Sequence, residues 1–447
     1  MIVDLKTDTE TLSNASAVQL AGLAIGCMFF IPFAEKYGRR SAYIISTLLV
    51  TISTWWSAYM KTGTEVYLTN ALMGLAGAVN EAAIQMSIRD MFYIHQRATA
   101  NGVYFASVKA GTYLTPMAAG AQAVSTGWRS SYITLAGFMT GLTLLFLVAF
   151  EETKFIPPKV ADIRLNESST SGLHIDSKEA IDPETSSIQE TAVMETLPPF
   201  PRYLRLQFFT KTGESLWKLF WSPFHAWWLP QVIFVIFQSG AAVCWLVLIG
   251  ITTSIVFSKE PYNFNSAQLG YMSAGAFIGS ICGSLYGGPF VDWAIVRLAR
   301  RNKGLFEPEM RLYLMPVPSL LMCIGLLVFG ITADRGMHWI FPVIGNGLFA
   351  FGFGSVADIT FTMVIDCYPN LVAIIFTVIA TGRNALSMIG PFSITPWLKR
   401  SSVSNVFIIA AFINLGIHLF AIPLAIWGKK SRVAMAPRYY RLSKECA

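Results

Sequence analysis

The sequence predicts an all-α membrane protein built as two pseudo-symmetric helical bundles with about eleven transmembrane helices. Three observations predict it. The 447 residues are 54% hydrophobic and 13% charged, with a mean hydropathy of +0.51, far from the composition of a water-soluble domain. The apolar residues come in runs long enough to cross a bilayer, which takes roughly 20 residues because a helix satisfies its own backbone polar groups in lipid. One polar stretch, residues 151–228, divides these runs into a first set of about five and a second of about six.

The elements follow in order. Residues 1–12, MIVDLKTDTETL, are polar and mildly acidic and lack the basic and apolar regions of a cleavable signal peptide. They are expected to lie outside, leaving the first span to direct insertion. The N-terminal bundle, 13–150, is expected to hold spans at 13–34, 41–60, 66–92, 98–123 and 129–150. The tether, 151–228, is rich in Ser, Thr, Glu and Pro and has too few large apolar side chains to bury a core. Its end, LWKLFWSPFHAWWLP, supplies Trp217, Trp221, Trp227 and Trp228, rings that prefer the headgroup level, and predicts a short interfacial helix. The C-terminal bundle, 229–427, is expected to hold spans at 229–257, 266–291, 312–332, 338–365, 371–397 and 403–427, and residues 428–447 form a basic cytosolic tail.

Lys and Arg set the orientation. Lys36, Arg39 and Arg40, then Arg89 and Arg97, then Arg297, Arg300, Arg301 and Lys303, and finally Lys429, Lys430, Arg432, Arg438 and Arg441 all fall on one side, the cytosol. The opposite turns are short and nearly neutral, except for Lys399 and Arg400. The net charge of +7 is therefore a topology signal suited to an anionic leaflet, with no pointer to nucleic acid. The six cysteines show no metal-ligand spacing and predict no disulfides. No phosphate loop, catalytic triad or metal cluster is present, which argues against an enzyme or a pump driven by ATP; no cofactor is expected.

The halves repeat one another. TNALMGLAGAVNEAAIQMSIRDMF and GNGLFAFGFGSVADITFTMVIDCY share the separation from Asn70 to Asp90 and from Asn346 to Asp366, with Leu72 matching Leu348 and an acid at Glu81 or, one place on, at Asp358. On a helical wheel Asn70, Gly74, Gly77, Glu81, Gln85 and Ile88 share one narrow sector. Glu81 and Lys109 each stand about 14 residues from the cytosolic turn near His95, roughly 20 Å along their helices. Asp358 and Arg383 stand about 11 and 14 residues from the turn at Pro369. An intramembrane charge costs from about 2.5 kcal/mol upward, so it persists when paired or when facing a wet cavity.

The expectation is that Glu81 pairs with Lys109 and Asp358 with Arg383, lining or bracing a central cavity, with Glu81 the candidate for taking a proton or contacting a cationic cargo. The bland alternative is that the pairs simply neutralise each other and fix helix rotation. Thr377, Thr381 and Asn384 form a polar stripe suited either to cavity lining or to helix–helix hydrogen bonds. His95, with Gln96 and Arg97, reads as a clasp in a cytosolic turn, and His418 as a hydrogen-bonded packing residue.

Several turns carry a resemblance. FAEKYGRRSAY, with Glu35, Lys36, Gly38, Arg39 and Arg40, resembles the loop motif G-x-x-x-D-R-x-G-R-R of the major facilitator superfamily, with Ile31 at the leading glycine and Glu35 for Asp. GGPFVDW repeats its front with Gly288 and Asp292. The acids and guanidinium groups, with Asp90 and Arg97 beside the neighbouring turn, are expected to bind opposing helix ends and hold the two bundles closed. GVYFASVKAGTYLTPMAAG is similar to the antiporter signature G-x8-G-x3-G-P-x2-G-G through Gly102, Gly111, Pro116 and Gly120, while Thr115 and Ala119 replace glycines. Asn70 stands where the fourth-helix motif of proton antiporters has Arg.

Together with DMFYIHQRATANGVY, GWRSSYI, FEETKF, ARRNKGLFEPEMRLYL, DCYPNLV and GRNALSMIGPF, these pieces resemble the fungal drug and amine transporter-like branch. The resemblance implies the major facilitator fold and a secondary transporter that rocks two bundles about a midplane site. The first choice is efflux of a fungal secondary metabolite or toxin; the alternative is uptake of an amine or other organic cation. A small-molecule cargo, protons and membrane lipid are the implied partners of a monomer in the plasma membrane, with the vacuolar membrane the other choice. Family members have twelve spans; the residues ahead of Ser13 are polar, so the resemblance implies that the first helix is absent. A non-transporting sensor or degenerate transporter is the reading of another class. Asn14, in Asn14-Ala15-Ser16, then becomes a glycosylation candidate on the outside.

Overall fold

The structure, a computed structural model, describes residues 2–92, 97–153, 208–209 and 216–446. A short turn of helix, α1 (Ile2–Leu5), precedes the first half, which comprises α2 (Thr9–Tyr37), α3 (Arg39–Tyr59), α4 (Gly63–Met91), α5 (Arg97–Thr126) and α6 (Trp128–Ala149). After α7 (Leu216–Ala226), the second half comprises α8 (Pro230–Val256), the broken helix α9 (Ser266–Tyr271), α10 (Ser273–Leu285) and α11 (Val291–Arg301), then α12 (Pro316–Asp334), α13 (Ile340–Cys367), the pair α14 (Val372–Ser387) and α15 (Ile389–Arg400), and the pair α16 (Val403–Leu419) and α17 (Ala421–Cys446). Among the described residues, five long helical segments are thus followed by six, in the order expected. Two ends differ: Thr9–Leu12 already belong to the first long helix, and the basic tail continues the last one as α17.

Among the described residues, eight segments are long and apolar enough to cross a membrane by length and composition; α3, α4 and α5 are more polar. The polar groups of α3 are turned inward. Ser46 Oγ donates to the Ala76 carbonyl at 2.7 Å and Ser53 Oγ to that of Thr69 at 2.8 Å, both on α4, while Thr51 and Thr143 hydroxyls on α3 and α6 lie 2.9 Å apart. Hydrogen bonds and close packing hold helices together where lipid tails are as apolar as leucine and no hydrophobic force favours association.

The two halves repeat a packing pair. α2 packs along α4, and α10 along α13. At Gly74 an added Cβ would lie 2.9 Å from the Gln19 carbonyl carbon, and at Gly279 2.8 Å from that of Gly347, so side chains at these two places would force the helices apart. Pro316 and Pro318 open α12 where the missing N–H groups cost nothing, and the residues ahead, Pro308–Leu314, form a 3₁₀ turn, so this span starts later than expected. A π turn at Tyr286–Phe290, containing Pro289, joins α10 to α11.

The halves meet through α2 against α14 and α15, and through α5 against α9 and α10. α7 is the expected short aromatic helix: Trp217 is 70% exposed, as rings at a headgroup layer require, whereas Phe220 reaches Phe29 of α2 with ring centroids 5.6 Å apart. The rest of the tether, apart from 151–153 and 208–209, lies outside the described residues.

Candidate functional site

Two ion pairs join the halves, drawing one charged side chain from each of α4, α5, α13 and α14. Their pairing is crossed. Glu81 Oε1 is bonded by Arg383 Nη2, and Lys109 Nζ lies 3.4 Å from Asp358 Oδ2. The expected pairs within each hairpin are therefore replaced by pairs between the halves. Counting along helices finds the depth of a residue but not the neighbour its helix faces. α14 lies against α2 and α4, and α5 against α9 and α10, so each base is carried to the acid of the other half. All four side chains keep between 13% and 27% of their exposure.

Each pair has a polar neighbour. Asn384 Nδ2 donates to Glu81 Oε2 at 2.7 Å, and Asn384 is 1% exposed. Lys109 Nζ donates to Ser284 Oγ on α10. Ser284 was not foreseen, because an uncharged serine in an apolar helix gives no signal by itself. The other members of the polar stripe divide. Thr377 and Thr381, both buried, border a small hollow with Met28 of α2 and Phe220, Phe224 and Trp227 around α7. Asn70 donates to the Val66 carbonyl of its own helix at 2.8 Å. The side chain of Gln85 lies outside the described residues.

The charged turn at Gly38 braces the first half internally. Gly38 has φ +105°, which favours glycine, and ends α2 where α3 begins. The Glu152 carboxylate, buried beyond the end of α6, accepts from the backbone N–H of Arg39 at 2.9 Å and of Arg40 at 3.3 Å. An anion at the N-terminus of α3 meets unsatisfied donors and the positive end of the helix dipole. Arg39 Nη1 donates to the Ala34 carbonyl and Arg40 Nη2 to that of Leu147, each at 2.9 Å. Lys36 stands over the Tyr37 ring at 5.7 Å, and Glu35 occupies the preceding position on α2.

In the second half Arg311 bridges Asp292 at 2.9 Å and Asp366 at 2.8 Å, while Gly288 lies in the π turn. These bonds tie elements within one half, where a guanidinium finds partners beside its own helix ends. Glu152 and Arg311 lie inside FEETKF and ARRNKGLFEPEMRLYL, where charge among apolar residues was the available signal. The side chains of Asp90 and Arg97 lie outside the described residues, as do His95 and Gln96.

The glycine motif on α5 is split. At the end read as outer, Gly120 abuts the backbone of Ser266 on α9, and a Cβ on Gly270 would stand 2.5 Å from the Pro116 carbonyl oxygen. Gly111 has nothing within 4 Å of an added Cβ, and Gly102 lies outside the residues whose surroundings are described. Asn14 sits half-buried within α2. Nearby, buried Thr395 Oγ1 donates to Ser13 Oγ at 3.2 Å, and Lys399 pairs with Glu10 at 2.7 Å, so the bundles also touch at this end.

The comparisons with known proteins show the family and the fold. The family model described as Major Facilitator Superfamily matches residues 1–391. The chain is 27% identical to MFS-type transporter C1271.10c of Schizosaccharomyces pombe, covering 98% of this chain and 81% of that one. It is 26% identical to Protein HOL1 of Saccharomyces cerevisiae, with 95% and 80% covered, and 23% identical to the MFS antiporter QDR3 of Candida albicans, with 93% and 72% covered. The human organic anion transporter MFSD10 (TETRAN) shares the fold with a TM-score of 0.54 at 15% identity, over 92% of this chain and 83% of that one. Two bundles with charges joined across their interface, a family match over most of the chain and a shared architecture lead to one assignment: this multi-pass membrane protein belongs to the Major Facilitator Superfamily of transporters.

Proposed function

We propose that the chain is a secondary active transporter of a small organic molecule, working by alternating access and exporting a fungal metabolite or toxin across the plasma membrane. The observation that carries this reading is the crossed pairing of Glu81 with Arg383 and of Lys109 with Asp358. When two bundles rock apart, both pairs must open together. Each freed charge at mid-membrane costs about 2.5–3.5 kcal/mol unless water, a proton or cargo replaces its partner. The charges thus couple opening of the interface to occupancy of the space between the bundles. Uptake of an organic cation is the second reading, favoured by two carboxylates, Glu81 and Asp358, that each already hold a cationic group.

The test measures movement of labelled amines and toxins in cells with and without the chain at two external pH values, with surface expression recorded. Glu81→Gln at normal surface level should abolish or uncouple movement. Unchanged transport by that variant rejects Glu81 as the coupling group, and no movement of any compound supports a sensor.

A further inference from the structure

α5 of the first half inserts two side chains, one helical turn apart, into the second half. The first is Lys109. Its ammonium rests against the Asp358 carboxylate and the Ser284 hydroxyl, and it lies 3.3 Å from where a Cβ on Gly354 would stand, so the glycine leaves room for it. The second is Tyr113, which is 5% exposed and packs with Ala276 and Ala350, both fully buried, and with Leu246 and Phe277. Every one of these neighbours belongs to the second half. The Tyr113 hydroxyl has no hydrogen-bonding partner among the described residues, so what the seat accepts is the ring. Along α13 the ring neighbour Ala350 stands four residues from Gly354 and eight from Asp358, about 6 and 12 Å of helix axis, so cation seat and ring seat are separated on the order of an alkyl linker.

We propose that this double seat in the second half is a binding site for an arylalkyl primary ammonium, which Lys109 and Tyr113 occupy as a tethered stand-in while the bundles are together. The inference rests on the transport reading of the same site and names its cargo chemistry. Opening the interface withdraws both side chains at once, because one rigid helix carries them. It leaves a carboxylate with a hydroxyl beside it, and an alanine-floored apolar hollow on the same wall. A free arylalkylammonium restores the ion pair and fills the hollow. An alkylammonium satisfies only the first seat and an uncharged arene only the second.

Binding of labelled 2-phenylethylammonium to the full chain in lipid nanodiscs tests this. Replacing Lys109→Ala together with Tyr113→Ala removes the tethered competitor and should tighten binding about tenfold or more, the ratio being set by how fully the stand-in occupies its seat. Asp358→Asn and Ala350→Phe should each weaken binding at least about tenfold, the loss of one seat. Gly354→Ala, which narrows the ammonium seat and keeps every charge, provides a second check if either variant unfolds in a melt. Butylammonium and toluene should compete at least about tenfold less well than the probe. The proposal is overturned if butylammonium competes equally, if the emptied variant binds no more tightly, or if Asp358→Asn and Gly354→Ala both bind like the parent. Flux is measured separately: seat-dependent binding without flux overturns the transport reading and leaves the seat standing, whereas flux indifferent to Asp358 and Gly354 overturns the seat and leaves transport standing.

Discussion

Glu81 on α4 is ion-paired with Arg383 on α14, so the buried acid of one bundle is neutralised by the base of the other. The same holds in reverse for Lys109 and Asp358. Two pairs wholly within bundles would persist through any rigid rocking and would serve only to fix helix rotation. Crossed pairs change with the interface itself.

The first prediction concerns that coupling. Glu81→Arg alone and Arg383→Glu alone each leave like charges facing across the interface, and both should lower thermal stability and activity. The double exchange should recover much of the stability, with an interaction energy of about 0.5–3 kcal/mol in a double-mutant cycle. The partial exposure of both side chains, 27% and 18%, places the value below that of a fully buried pair. A cycle that closes at zero would mean that the two side chains do not meet in the membrane.

The second prediction concerns Glu152, whose carboxylate receives two backbone donors at the start of α3. Glu152→Ala leaves those N–H groups buried and unmatched, and should destabilise the first bundle by about 1.5–3 kcal/mol, the range for hydrogen bonds to a charged group. Glu152→Gln keeps one acceptor oxygen and should cost less. Thermal melts of the two variants beside the parent measure the order.

Length, apolar runs and Lys/Arg placement foretold the helices to within a few residues at most ends, because spanning a bilayer is a one-dimensional requirement. Asn384 and Glu81 show where that kind of reading stops. Both were singled out, yet their contact joins positions 303 residues apart, and nothing in either segment encodes which helix lies beside which. The pairing of Glu81 was missed for the same reason. Depth follows from counting at 1.5 Å per residue, whereas the facing partner follows from how α2, with its close approach to α4, presents that pair to α14.

The third prediction concerns the tail. Arg432 makes two bonds of 3.1 Å to the Glu309 carboxylate, which is 3% exposed, and Lys429 reaches Glu307 at 2.6 Å, so α17 is strapped to the 3₁₀ turn before α12. Arg432→Ala abandons a buried carboxylate and should destabilise the second bundle by up to about 3–5 kcal/mol. Lys at 432 offers no planar fork and should recover only part of the loss. Lys429→Ala, at an exposed position, should change the melt by less than about 1 kcal/mol. If Lys429→Ala proves the costlier of the two, the strap is not held by Glu309.

The fourth prediction concerns the outer contact, where Gly120 lies against the backbone of Ser266. An added Cβ would stand 3.1 Å from the Ser266 carbonyl carbon and 3.4 Å from Ala267 Cα, and backbone cannot swing aside as a flexible side chain does. Gly120→Val therefore keeps each bundle intact but prevents α5 from seating on α9. The outer ends should part, and the Glu10–Lys399 pair with them, since an exposed ion pair is too weak to hold two bundles together. In a background without native cysteines, Glu10→Cys with Lys399→Cys should be joined readily by a short bis-maleimide cross-linker, whose reach replaces that of the two long side chains. Adding Gly120→Val should slow that reaction severalfold, while Gly111→Val, whose added Cβ meets nothing within 4 Å, should leave it unchanged. Equal cross-linking with Val at 120 would mean that the close approach of α5 to α9 does not govern closure of the outer face.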